Sequence, residues 1–240
     1  MSCFSQVDMR RDDLPVNIKK LMKVYPNLIW SHNENTLVFK DKSTMIYDDL
    51  KEKTDFERLE NSDIEDQFNY IYELGKINDA GRYRNEEFFK KIYGNSKFEV
   101  EKKLVEIVWC PKIVNQKIKV TSVNGIDKIV KKISAELDEH PEFQKYITNI
   151  GGTFNWRTIS GTNRLSMHSF GMTIDINAKH SDYWQWSCNC KSENSKVVYK
   201  NKIPLEIVKI FQKYGFIWGG NWKHFDTMHF EYRPEFFVKI

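Results

Sequence analysis

The chain has 240 residues, 40% hydrophobic and 14% aromatic, with 37 Lys and Arg against 33 Asp and Glu and a formal charge of +4. That composition builds a sizeable core and excludes a disordered chain. No apolar run approaches the roughly 18–20 residues of a membrane-spanning segment, and the basic residues are spread too thinly for the stripe that nucleic acid requires.

In chain order, Met1 to Asp13 carries Arg10 and Arg11 with no apolar stretch behind them, so no secretory signal is legible. Pro15 opens a short helix through Ile18, Leu21 and Met22, and Thr36 to Phe39 reads as a strand. Ser62 and Glu65 have capping-box spacing, which predicts a helix with Ile64, Phe68, Ile71 and Tyr72 on one face and Gly75 at its end. Glu86 to Tyr93 is a second helix stopped by Gly94. Lys117 to Thr121 alternates as a half-buried strand, Asn124-Gly125 turns the chain, and Ile126, Ile129, Val130, Ile133 and Leu137 follow helical spacing. Pro204 opens a last helix with Leu205, Val208 and Phe211 inward and Gly215 at its end. No repeat or linker divides the chain. The expectation is one continuous globular unit, with residues 1–110 an N-terminal lobe and 111–240 the catalytic region.

The chemistry concentrates after residue 150. From Met172, the residues Met172, Ile174 and Ile176 alternate with Thr173, Asp175 and Asn177, which puts the Asp175 carboxylate on the open face of a strand. Gly171 permits a bend that swings His168 back toward Asp175. In a strand from Thr227, Met228 and Phe230 are buried and His229 and Glu231 share the other face. Two imidazoles and a carboxylate form a usual catalytic zinc set with one position left for water. Asp226 is then the base toward that water, with Glu231 the less favoured alternative. Arg157 is the first choice of donor for a substrate carboxylate or carbonyl oxygen.

Ser166-x-His168-x-x-Gly171-x-x-x-Asp175, together with Asp226-x-x-His229, resembles the zinc D-alanyl-D-alanine carboxypeptidase and dipeptidase family, which includes L-alanyl-D-glutamate endolysins. Trp156-Arg157, Gly161-Thr162 and the block from Trp218-Gly219-Gly220 to Glu231 extend the likeness over roughly residues 150 to 235. The resemblance implies an α+β fold of the Hedgehog/DD-peptidase type, an antiparallel sheet with packed helices, preceded here by a helical N-terminal extension. It implies one zinc ion on His168, Asp175 and His229, a base at Asp226, and substrate-binding roles for Arg157 and Ser166. Asp226 stands where some members have Glu. Trp222 and His224 are further candidates for the cleft, His224 with an equal chance of only decorating its loop.

The function expected is D,D-carboxypeptidase action on peptidoglycan stem peptides. The alternatives are an L-alanyl-D-glutamate endopeptidase and a non-catalytic zinc-containing wall-binding module. A stem peptide implies the cell envelope, periplasm or a secreted location, with the cytoplasm as alternative. The sequence leaves the oligomeric state open. The other features have ordinary explanations: His32, His140 and His180 as structural or surface residues, Arg82 and Arg84 as solvated partners of Glu86 and Glu87 in preference to cations reaching toward an acidic substrate, and Tyr183 to Trp186 as packing in preference to an aromatic rim for a ligand. Cys188 and Cys190 are read as non-catalytic, and a strain-free disulfide between them is not expected; with Cys3 and Cys110 they are too few for a disulfide scaffold.

Overall fold

The computed structural model describes residues 14–190 and 192–240; Cys3, Arg10 and Arg11 lie outside them. The first part contains α1 (Val16–Val24), β1 (Ile29–Asn33), β2 (Thr36–Phe39), β3 (Thr44–Ile46), α2 (Asp55–Glu60), α3 (Glu86–Tyr93) and α4 (Lys97–Glu101). The second contains β4 (Leu104–Trp109), β5 (Gln116–Thr121), α5 (Ile126–Leu137), α6 (Gln144–Ile147), β6 (Thr173–Asp175), α7 (Trp184–Cys188), α8 (Leu205–Lys213), β7 (Phe216–Trp218) and β8 (His229–Tyr232). The architecture is mixed α+β. Among the described residues three small antiparallel sheets, β1-β2-β3, β4-β5 and β6-β8-β7, are packed by helices. The N-terminal part is thus mixed, with its own sheet, rather than the helical extension expected. No helix among the described residues is long and apolar enough to cross a membrane.

The β4–β5 hairpin straddles residue 110, and one cluster of buried side chains joins Ile18 and Leu37 to Phe89, Trp109, Phe211 and Phe230. The strand, turn and helix predicted from Lys117 onward are present. Asn124 and Gly125 adopt left-handed φ of 55° and 72°, and Ile126, Val130, Ile133 and Leu137 are buried against β4 and β5. In α8, Val208 and Phe211 point inward, joined by Ile207 and Ile210; Leu205, expected inward, sits in the exposed first turn.

The helix predicted from Ser62 is absent: Asp66–Phe68 form one 3-10 turn. The Asp63 and Asp66 carboxylates accept each other's backbone N–H groups at 2.9 and 3.0 Å and share Lys53, so the turn closes on itself. Downstream, Asn221 Nδ2 donates to the Glu73 carbonyl at 2.8 Å and the Asn221 carbonyl accepts from Asn78 N–H at 2.9 Å, leaving little for helical pairing. The capping box stands earlier, at Thr54 and Glu57, and opens α2. Cys188 and Cys190 are joined as a disulfide, against expectation, and Cys110 is free and buried. The three set-aside histidines are structural: His32 is buried edge-on to Tyr47, His140 stacks on Phe143 and His180 meets Tyr146.

Candidate metal centre

Ser166 caps a 3-10 turn, Met167–Phe170, its Oγ accepting from His168 N at 3.4 Å. Gly171 ends that turn at φ 64°, and a Cβ there would lie 2.7 Å from the Leu104 side chain. Only glycine fits both conditions. The bend delivers His168 to Asp175 at the end of β6. Antiparallel pairing then sets Asp175 directly opposite His229 on β8. Directly opposed side chains on one face stand about 5 Å apart at Cβ, so one register fixes two of the three groups.

The result is a compact cluster. His168 Nε2 lies 3.0 Å from Asp175 Oδ2, and His229 Nδ1 lies 2.9 Å from Asp175 Oδ1. One ligand atom from each residue falls within 4.8 Å of the other two, and the imidazole centroids are 5.2 Å apart. Burial opposes ionisation of Asp175, but the His168 and His229 imidazoles hold its carboxyl well below the usual range. Burial likewise opposes charging of His229; its bonds to Asp175 and Glu231 and the nearby carboxylate charges raise it to about 10. Such a cluster favours positive charge at its centre, as a divalent cation would supply.

Behind the cluster lies a network that sequence reading missed. His229 Nε2 is 3.2 Å from Glu231 Oε2, and Glu231 is fully buried. Arg84 donates to that carboxylate through Nε at 3.1 Å to both oxygens and through Nη2 at 2.6 Å. Arg233 adds a contact at 3.2 Å and also bonds Glu235, Gln67 and the Gly81 carbonyl. Burial would raise the Glu231 carboxyl, but Arg84, His229 and Arg233 hold it far below the ordinary glutamate range. The alternation of Glu231 and Arg233 on one strand face was the available signal. Arg84 and Arg82 pair with Glu231 and Glu193, 147 and 111 positions away, instead of with Glu86 and Glu87. Glu86 binds Lys90 and accepts from Leu165 N.

Asp226 sits in the turn before β8. Its N–H bonds Gly219 O at 3.0 Å, its carbonyl accepts from His229 N at 3.2 Å, and its backbone bridges Tyr183. A Cβ on Gly219 would meet the Asp226 carbonyl at 2.6 Å, so glycine is required for that approach. Asp226 Oδ1 is buried with no hydrogen-bond partner among the described residues. Burial and the Asp175 charge push the carboxyl well above the usual aspartate range, with His229 opposing.

The other candidates are placed as follows. Arg157 is exposed and donates to Thr158 O at 3.2 Å; its backbone is fixed to the His168 turn through Ser169 Oγ and Ser166 N. Ser166 is committed to its cap. Trp222 packs 5.5 Å from the His229 ring, with Nε1 bonded to Ala80 O, and the Arg84 guanidinium lies over it at 5.3 Å. His224 belongs to a polar network with Asp79, Arg82 and Glu193. Trp184 is buried, whereas Trp186 is exposed and packs on Tyr183.

Residues 160–232 match the family model described as D-alanyl-D-alanine carboxypeptidase, and the matched stretch spans His168, Asp175 and His229. No curated protein and no solved structure gives a significant match.

Proposed function

We propose that this protein is a zinc metallopeptidase that hydrolyses peptidoglycan stem peptides, acting as a D,D-carboxypeptidase on a terminal D-alanyl-D-alanine bond. The carrying observation is the convergence of His168, Asp175 and His229 within ligand distance of one another, beside Asp226. The donor set suits zinc: two imidazole nitrogens and a carboxylate oxygen, with His229 held from behind by Glu231 in the manner of a metal-bound histidine. When bound there, zinc supplies a Lewis acid for the scissile carbonyl and lowers the pKa of water.

The chain's own residues divide the remaining work. Asp226 takes a proton from the attacking water and passes it to the amine nitrogen as the C–N bond breaks. Its raised pKa and unpartnered Oδ1 suit that role. Glu231 does not, because its oxygens are engaged by Arg84, Arg233 and His229. Arg157, at the mouth of the His168 turn, donates to the carbonyl oxygen as negative charge develops. Trp222 walls the cleft. The substrate's location puts the site of action in the cell envelope.

Hydrolysis of diacetyl-L-lysyl-D-alanyl-D-alanine with and without chelator tests the reading. D-alanine should be released only by the zinc-loaded protein, and Asp226→Ala should depress turnover with zinc still bound. Release of whole stems from muropeptides would identify an L-alanyl-D-glutamate endopeptidase instead, and bound zinc with no hydrolysis of any peptide would identify a binding module.

A further inference from the structure

A second charged site lies beside the cluster and has no part in the reaction above. Arg82 presents both terminal nitrogens to Glu193, Nη1 to Oε2 at 2.7 Å and Nη2 to Oε1 at 2.8 Å, the parallel fork by which arginine holds a carboxylate. The fork is built in advance. Arg82 Nη1 is 3.1 Å from His224 Nδ1 and 3.9 Å from the buried Asp79 carboxylate, and the His224 ring is held against Trp184 at 4.8 Å. His224 Nδ1 faces both Arg82 Nη1 and the Asp79 carboxylate, the latter at 3.4 Å, and Nε2 lies 2.9 Å from Glu193 O.

Glu193 belongs to the stretch from Ser192 to Val198, which is neither helix nor strand. Among the described residues, its hydrogen bonds and ion pairs are the ones that tie this stretch to the rest of the chain; Asn194 and Ser195 bond only to Ser192. The fork also lies beside the candidate catalytic residues. Tyr183 bridges the Asp226 backbone, and Trp184, which packs on His224, donates its N–H to Phe225 O at 2.9 Å. His224 is two residues from Asp226.

We propose that Arg82 is a carboxylate subsite of this cleft and that Glu193 is its tethered occupant, displaced by the carboxylate of a peptide substrate so that residues 192–198 lift as the peptide docks. The proposal rests on the peptidase reading for its substrate class. It favours an exopeptidase, whose substrates end in a free carboxylate. A site closed by its own chain binds with an affinity reduced by the fraction of time it is open.

The test uses zinc-loaded Asp226→Asn protein, so that peptide is bound without turnover. Affinity is read from tryptophan fluorescence, and opening from hydrogen exchange in residues 192–198. Three probes are compared: diacetyl-L-lysyl-D-alanyl-D-alanine, its C-terminal amide, and an amidated peptide whose one carboxylate is a D-glutamate side chain. Glu193→Gln should tighten binding of the free acid about tenfold, and Arg82→Gln should weaken it by a similar factor. Saturating free acid should speed exchange in residues 192–198, and the amide should not. Response to the glutamate probe alone would assign the subsite to a side-chain carboxylate and overturn the exopeptidase assignment. Equal affinity of free acid and amide, or no effect of Glu193→Gln on either readout, would overturn the subsite. Arg82-dependent binding without hydrolysis by the native protein would refute the peptidase reading alone. Hydrolysis with Arg82-independent binding would refute the subsite alone.

Discussion

Replacing Arg84 by methionine keeps an unbranched stem against Trp222 and removes the guanidinium that bonds both oxygens of Glu231. Glu231 then stays fully buried with Arg233 and His229, each at 3.2 Å, as its remaining partners. Breaking a buried ion pair by removing one member costs about 3–5 kcal/mol, and with Arg233 still in place the lower end applies, about 3 kcal/mol. For a chain of this length that is a fall of about 6–12 °C in Tm. Urea denaturation of the metal-free protein is the assay, run also in a Glu231→Gln background. There the charge needing compensation is gone, and Arg84→Met should cost under about 1 kcal/mol. A loss below 1 kcal/mol in the native background, or the same loss in both, would refute the argument that Arg84 exists to neutralise Glu231.

Gly171→Ala forces a left-handed residue and sets a methyl against Leu104, so it should cost about 2–4 kcal/mol in denaturation and loosen the turn that carries His168. Zinc at a hundredfold excess over its Kd should add about 2.7 kcal/mol of stability, seen as a rise in Tm that chelator reverses and His168→Ala abolishes. Burial holds the His32 imidazole below its ordinary pKa, and neither ring nitrogen has a partner among the described residues. The unfolded chain therefore binds a proton that the folded one refuses: stability is full above about pH 6.5 and falls as pH drops through that value toward the lowered folded pKa. His32→Phe should flatten that slope in urea titrations from pH 7 to 5, and an unchanged slope would show that His32 is not its source.

What the sequence disclosed was whatever depended on near neighbours. The periodicity of α5, the Asn124-Gly125 turn and the alternation around Asp175 and His229 each lie within one element, and the three candidate ligands followed from two such strands and one glycine. The Ser62 spacing misled because Asp63, Asp66 and Lys53 satisfied the turn from within while Asn221 captured the chain beyond it. The partners of Arg82 and Arg84 were illegible for a different reason. An arginine's fork accepts any carboxylate the fold brings to it, and nothing local tells Glu86 from Glu231.

The stretch that bears the family likeness begins at residue 160, yet the guanidinium that neutralises its innermost glutamate stands at Arg84, and Gln67 and Gly81 hold the second arginine beside it. A boundary drawn by similarity would therefore cut an electrical circuit whose return path runs through the other half of the molecule, stranding a negative charge in a dry interior. The N-terminal half is, in that sense, part of the housing that keeps Glu231 charged behind His229.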